Sequence, residues 1–206
     1  MNVEELLQRY GSGERDFRGI ELMGADFSGV YLAGIDLRNA DLRNAILTHA
    51  NLSAARMTGI RLMEAELSGS DLRLADLTGA NLNKARMDAI NLEGAIMTSA
   101  TLLGALLQKA NLRGAKLLMA KLENANLMGA DLHAADLASA SLVGTNMAWC
   151  RLLGANLEGA DLSHADLHLA FLAGARMNTT KIDHANFDGA IMPDGSVRQG
   201  PVHPIC

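Results

Sequence analysis

The sequence predicts an all-β fold, a solenoid in which short segments coil repeatedly about one axis. Three observations predict it. An apolar residue recurs at every fifth position from Phe17 to Met192, giving (192 − 17)/5 + 1 = 36 consecutive sites, 26 of them Leu and the rest Phe, Met or Ile. Two residues before each site runs a second column, Ala at 26 of its 36 positions, as at Ala25, Ala40, Ala45, Ala50 and Ala190. A period of five fits neither the 3.6 of an α-helix nor the 2 of a strand, so it marks a repeat.

One such unit cannot bury its two apolar side chains alone, but stacked copies can. If four units close a square turn, residues n and n+20 become neighbours about 4.8 Å apart, as in a β-ladder. The Leu and Ala columns then point into the axis. Glycines at the last position of the unit, such as Gly24, Gly29, Gly69 and Gly79, suit the corners, where unusual backbone angles are needed. A twenty-residue wrap brings together Asp36, Arg56 and Asp76, or Arg73, Glu93 and Arg113, in alternating sign, sets Lys116 under Asp136, and aligns Thr58, Thr78 and Thr98. It also puts Asp16 over Asp36, Glu21 over Asp41 and Arg18 over Arg38, which should repel.

The elements follow in order. Residues 1–14 are expected to form an N-terminal capping helix, because Val3, Leu6, Leu7 and Tyr10 fall on one helical face and the first coil leaves an open strand edge to cover. Residues 15–194 carry the repeats. The first proline of the chain, Pro193, stands where they stop; Pro193-Asp194-Gly195-Ser196 reads as a turn, and residues 195–206 as a partly disordered tail able to cover the last coil.

The unit Ala-(Asp/Asn)-Leu-x-x, as in Ala40-Asp41-Leu42-Arg43-Asn44 and Ala160-Asp161-Leu162-Ser163-His164, resembles the pentapeptide repeat proteins over residues 15–194. The opening Met1-Asn2-Val3-Glu4-Glu5-Leu6-Leu7 and the closing Met192-Pro193-Asp194-Gly195-Ser196 are similar to cyanobacterial members, among them a regulator of heterocyst differentiation. The resemblance implies a right-handed quadrilateral parallel β-helix of 36/4 = 9 coils, about 43 Å long at the strand spacing. It also implies an interaction protein rather than an enzyme, with a regulatory role in a cyanobacterium.

Composition bounds the function. Apolar residues make up 49% of the chain and aromatic residues 3%, as a Leu and Ala stack requires. No apolar run approaches membrane-spanning length, and the N-terminus lacks the basic-then-apolar layout of a signal peptide, so the expected location is cytoplasmic with no membrane contact. A regular rod offers flat faces and no concave pocket, and no phosphate loop, nucleophile elbow or HExxH occurs; catalytic residues and cofactors are not expected. Asp and Asn before the Leu column read as solvated ladder positions. Cys150 falls in the inward column as a small buried hydrophobe, and Cys206 ends the tail. His164 and His184 become vertical neighbours near Asp161 and Asp183, but without a third fixed ligand no metal site is assigned. The Asn51 and Asn178 sequons are chance matches without a secretory signal.

A net charge of −5 argues against nucleic acid as a ligand. Some members of the family imitate duplex DNA and occupy the DNA site of gyrase, which makes a topoisomerase-directed mimic the alternative function. B-DNA over this length carries about 25 negative charges. The four faces here, centred on Phe17, Leu22, Phe27 and Leu32, sum to +1, −1, −3 and −1. Exposed apolar residues are more telling. Trp149, Leu153, Leu169 and Phe171 should point outward near one corner, with Met128 and Ala148 adjoining, a patch suited to a protein partner. The expected function is a non-enzymatic protein-interaction scaffold, monomeric or homodimeric.

Overall fold

The computed structural model describes residues 1–198, and its plan follows from one five-residue unit. In the unit around Leu37, the Ala40 N–H donates to the Leu37 carbonyl at 3.0 Å, closing a turn with Asn39 at φ +58°. A positive φ at the third residue is what a type II turn demands, and it explains the abundance of Gly there. The unit also joins the chain above and below. The N–H groups of Leu37 and Asn39 donate to the carbonyls of Arg56 and Thr58 at 2.8 and 3.0 Å, while the Asp41 N–H donates to Ile20 at 2.7 Å.

Bridges pair n with n+20 in parallel from Asp16 with Asp36 to Phe171 with Ile191, so four units complete one circuit. No long strand forms, because the left-handed residue at every fifth position ends each extension after a single bridging residue. Both apolar columns face the axis, and from Leu52 to Leu172 the Leu column is inaccessible to solvent. The small column admits polar residues that satisfy themselves. Ser70 and Thr145 are buried, and each hydroxyl donates to the carbonyl three residues back, Leu67 and Leu142, at 2.6 Å.

The N-terminal end is closed by α1 (Val3–Gly11). The Asn2 side chain caps it by accepting from the Glu5 N–H at 2.9 Å. Leu6 and Tyr10 are buried; Leu6 lines one axial gap together with Phe27, Leu32, Leu37, Leu42 and Leu47, and the Tyr10 hydroxyl donates to the Ala33 carbonyl at 2.8 Å. At the other end the chain reverses after Pro193, and Val197 pairs antiparallel with Ile191. The Gly189 N–H donates to Arg198 and the Met192 N–H to Ser196, at 2.8 and 2.7 Å. Residues 195–198 are therefore part of the folded edge rather than the start of a loose tail; residues 199–206, including Cys206, lie outside the described residues. This return covers only one side of the last circuit. Ile182 is 42% exposed and Met177 half-buried, so the apolar column is not enclosed to its end.

Two readings of the surface change. Asp and Asn before the Leu column do more than face solvent: their Oδ1 accepts the backbone N–H two residues on, as from Asn51 to Ser53, Asp131 to His133 and Asp166 to His168, at 3.0–3.1 Å. The stacked like charges at the N-terminal end are also paired locally. Arg18, Arg38 and Arg43 each fold back onto Asp16, Asp36 and Asp41 at 2.6–2.7 Å, and Arg56 and Arg61 reach down to Asp36 and Asp41 at 3.4 and 3.3 Å. The Arg73, Glu93, Arg113 column makes no vertical pair; Arg73 binds Asp71 and Arg113 binds Asp131.

Candidate protein-interaction surface

The outward side chain at the left-handed position lies beneath the residue one circuit above. Where that residue is glycine, the side chain leans over it. A Cβ at Gly69 would lie 2.6 Å from the His49 ring, one at Gly94 2.8 Å from Leu74 Cδ2, and one at Gly189 2.6 Å from Leu169 Cδ2. Leu169 is half-buried, which corrects its expected outward exposure, whereas Leu74, leaning over Gly94 in the same way, stays 68% exposed. Trp149 has Leu169 above it rather than a glycine. It stands out from the rod, 54% exposed at φ +62°, with its ring edge-on to His168 at 6.1 Å and 87°.

Met128 is exposed beside this corner. Ala148, expected on the surface, is buried, because its small side chain lies between Met128 below and His168 above. The chain then turns inward at Cys150, whose thiol donates to the Leu127 carbonyl at 3.0 Å and is pushed up to about 12 by burial.

Beyond Cys150 the next face holds an open trough of about 410 Å3, lined by Arg113, His133, Arg151, Leu153, Phe171, Ala173 and Ile191. Leu153 and Phe171 are each 47% exposed. The trough exists because the adjoining column is Gly114, Ala134, Gly154 and Gly174; nothing lies within 4 Å of a Cβ built on any of these three glycines. The predicted patch thus divides: Trp149 and Met128 at the corner, Leu153 and Phe171 on the face beside it. Sequence reasoning missed Arg113, His133 and Arg151 as neighbours of the apolar pair, although their numbers fall in the same two columns at steps of twenty.

Elsewhere the chemistry is sparse. His164 and His184 stack with centroids 5.0 Å apart and 17° between rings, a geometry that leaves their nitrogens parallel rather than converging. Among the described residues no group of three His, Cys, Asp or Glu could hold a metal ion.

Comparison with known proteins agrees with this architecture. Eight copies of the family pattern described as pentapeptide repeats match across residues 20–194. No curated protein sequence matches the chain. Among solved structures, the chain is 35% identical to HetL, a pentapeptide repeat protein involved in heterocyst differentiation regulation in the cyanobacterium Nostoc sp. Strain PCC 7120, over 96% of this chain and 100% of that one, with a TM-score of 0.49. It is 35% identical to a thylakoid-lumen pentapeptide repeat protein of Arabidopsis thaliana over 46% and 66% of the two chains, TM-score 0.45. A trypsin-treated QnrB1, a plasmid-mediated fluoroquinolone resistance protein, shares 17% identity over 85% and 87%, TM-score 0.50. That likeness speaks for the fold alone.

Proposed function

Because the chain belongs to the pentapeptide repeat family, a group of right-handed β-helix solenoids, we propose that it is a non-enzymatic rod of nine coils whose C-terminal half displays a docking surface to another protein. The observation that carries this reading is Trp149. A bulky aromatic in the left-handed region is strained by about 1–2 kcal/mol, and glycine occupies the same column one coil below and two above. A side chain held there, standing in solvent with exposed Met128 at its corner and exposed Leu153 and Phe171 on the next face, fits an interface anchor, since aromatic residues dominate binding energy when they become buried.

The 35% identity to a differentiation regulator along nearly the whole chain supports a regulatory role in a cyanobacterium. A cytoplasmic setting suits the unpaired thiol of Cys150, and no described helix is long and apolar enough to cross a membrane. Gyrase mimicry gains no support from the surface, where Asp16, Asp36 and Asp41 are each paired with an arginine of their own unit.

Affinity capture from the native extract tests the reading, comparing wild type with the Trp149→Ser/Phe171→Ser double variant. Both side chains are outside the core, so the variant should fold normally and lose the partner. Equal capture by the two proteins removes the proposal.

A further inference from the structure

We propose that the trough beside Trp149 takes an acidic peptide segment of the partner, with its carboxylates at the Arg113–Arg151 end and an apolar side chain at the Phe171 end; the inference rests on the interaction surface proposed above. Its basis is the polarity of the trough. Toward the N-terminal side it is lined by Arg113 and His133, in the middle by Arg151 beside Leu153, and toward the C-terminal side by Phe171 and Ile191. Asp131 is the nearest counter-charge. It is engaged by Arg113 at 3.3 Å and by the His133 backbone N–H at 3.1 Å. Among the described residues no carboxylate comes within ion-pair distance of Arg151, although Asp131 lies directly below it in the ladder. The other acidic group on this part of the face, Asp194, is past the apolar end and accepts from the Ser196 N–H and hydroxyl.

An unpaired guanidinium on a chain of net charge −5 is a local attraction for anions that the remote charges do not cancel, because screening limits exposed charges to about 8 Å at physiological salt. Guanidinium also binds carboxylate in a bidentate fork, which fixes orientation as well as sign. A peptide is favoured over a free small anion by the shape of the site. Ligand pockets for small molecules enclose most of the ligand. This trough is open along its length, with two of its apolar walls about half exposed, and the adjoining column of Gly114, Gly154 and Gly174 leaves room for an extended backbone beside it.

The test uses the full chain and fluorescent hexapeptides that place two acidic residues and one Leu or Phe in every order, with the Asn/Gln isosteres and the free dicarboxylate glutarate as controls. The acidic peptides should bind, weaken as salt rises from about 50 to about 500 mM, and lose at least about tenfold in affinity with Arg151→Glu and about threefold with Leu153→Ser. Equal binding of the isosteres, unchanged binding by Arg151→Glu, binding of glutarate as tight as of the peptides, or no binding by any peptide would each overturn the proposal. The two readings separate in the capture experiment. Loss with Trp149→Ser/Phe171→Ser but not with Arg151→Glu keeps the interface and rejects the acidic segment, whereas loss with neither rejects both.

Discussion

The Arg38 guanidinium grips the Asp36 carboxylate through Nε at 2.8 and 3.1 Å and Nη2 at 2.6 Å, two residues along the same turn. Asp41 and Arg43 repeat the arrangement one unit later. Both aspartates are buried, and the hydrogen bonds from their arginines hold the carboxyls below the usual carboxylate range. Exposed Asp16 beside Arg18 is lowered to about 2.

These depressed groups give the rod an acid-sensitive end. A folded pKa below the unfolded one contributes stability that is fully present above the unfolded value, about 3.9, and is lost as pH falls through the folded value. Thermal unfolding should therefore be level from neutral pH to about 4 and decline steeply toward about 2. Asp36→Asn should cost about 1–3 kcal/mol at pH 7 and show a shallower acid decline than wild type. Parallel declines in circular dichroism melts would contradict this.

The middle of the rod should report cavity energetics cleanly. Leu92 is fully buried, with equivalent Leu residues at 72 and 112 one circuit below and above. Leu92→Ala should cost about 2–5 kcal/mol by denaturant unfolding, and Leu92→Asp should prevent folding, because an unpaired charge would be sealed in the stack.

Trp149→Gly should separate stability from recognition. Glycine relieves the positive-φ strain, and the indole contributes little to the core, so the melting temperature should hold or rise, by up to about 1 kcal/mol of stability, while partner capture is lost. A clear fall in stability would make Trp149 a structural side chain.

The Cys150 thiol should resist alkylation in the native state at pH 8, since burial holds it near 12 and only unfolding exposes it. Peptide mapping after iodoacetamide treatment reads this directly. Rapid native labelling would mean that the rod opens locally at this coil.

The axial stack was legible because every fifth residue from Phe17 votes for the same direction, and no local propensity opposes thirty-six aligned choices. The amphipathic stretch around Leu6 and Tyr10 likewise carried its own pattern. Exposure at individual surface positions was less readable. Leu169 and Trp149 share a column and a backbone angle, yet one is half-buried and the other stands out, and a glycine twenty positions on does not decide it, since Leu74 below Gly94 is 68% exposed. Like-charge stacking misled because Asp36 is held by Arg38, two residues away, and by Arg56 one circuit above, so the carboxylate of Asp16 below does not decide its environment. The reversal that pairs Val197 with Ile191 has no periodic signature, because it is made once.

The four-unit circuit makes azimuth a property of chain length. Excising one unit ahead of Trp149, for example residues 101–105, would leave the filling of the axis almost unaltered while swinging everything downstream through a quarter turn. The indole and the Arg151 trough would then look out in a new compass direction relative to α1, and only loss of four units together would restore their heading. Lineages of such rods can thus re-aim a binding surface by slippage of fifteen bases, without touching one side chain of it.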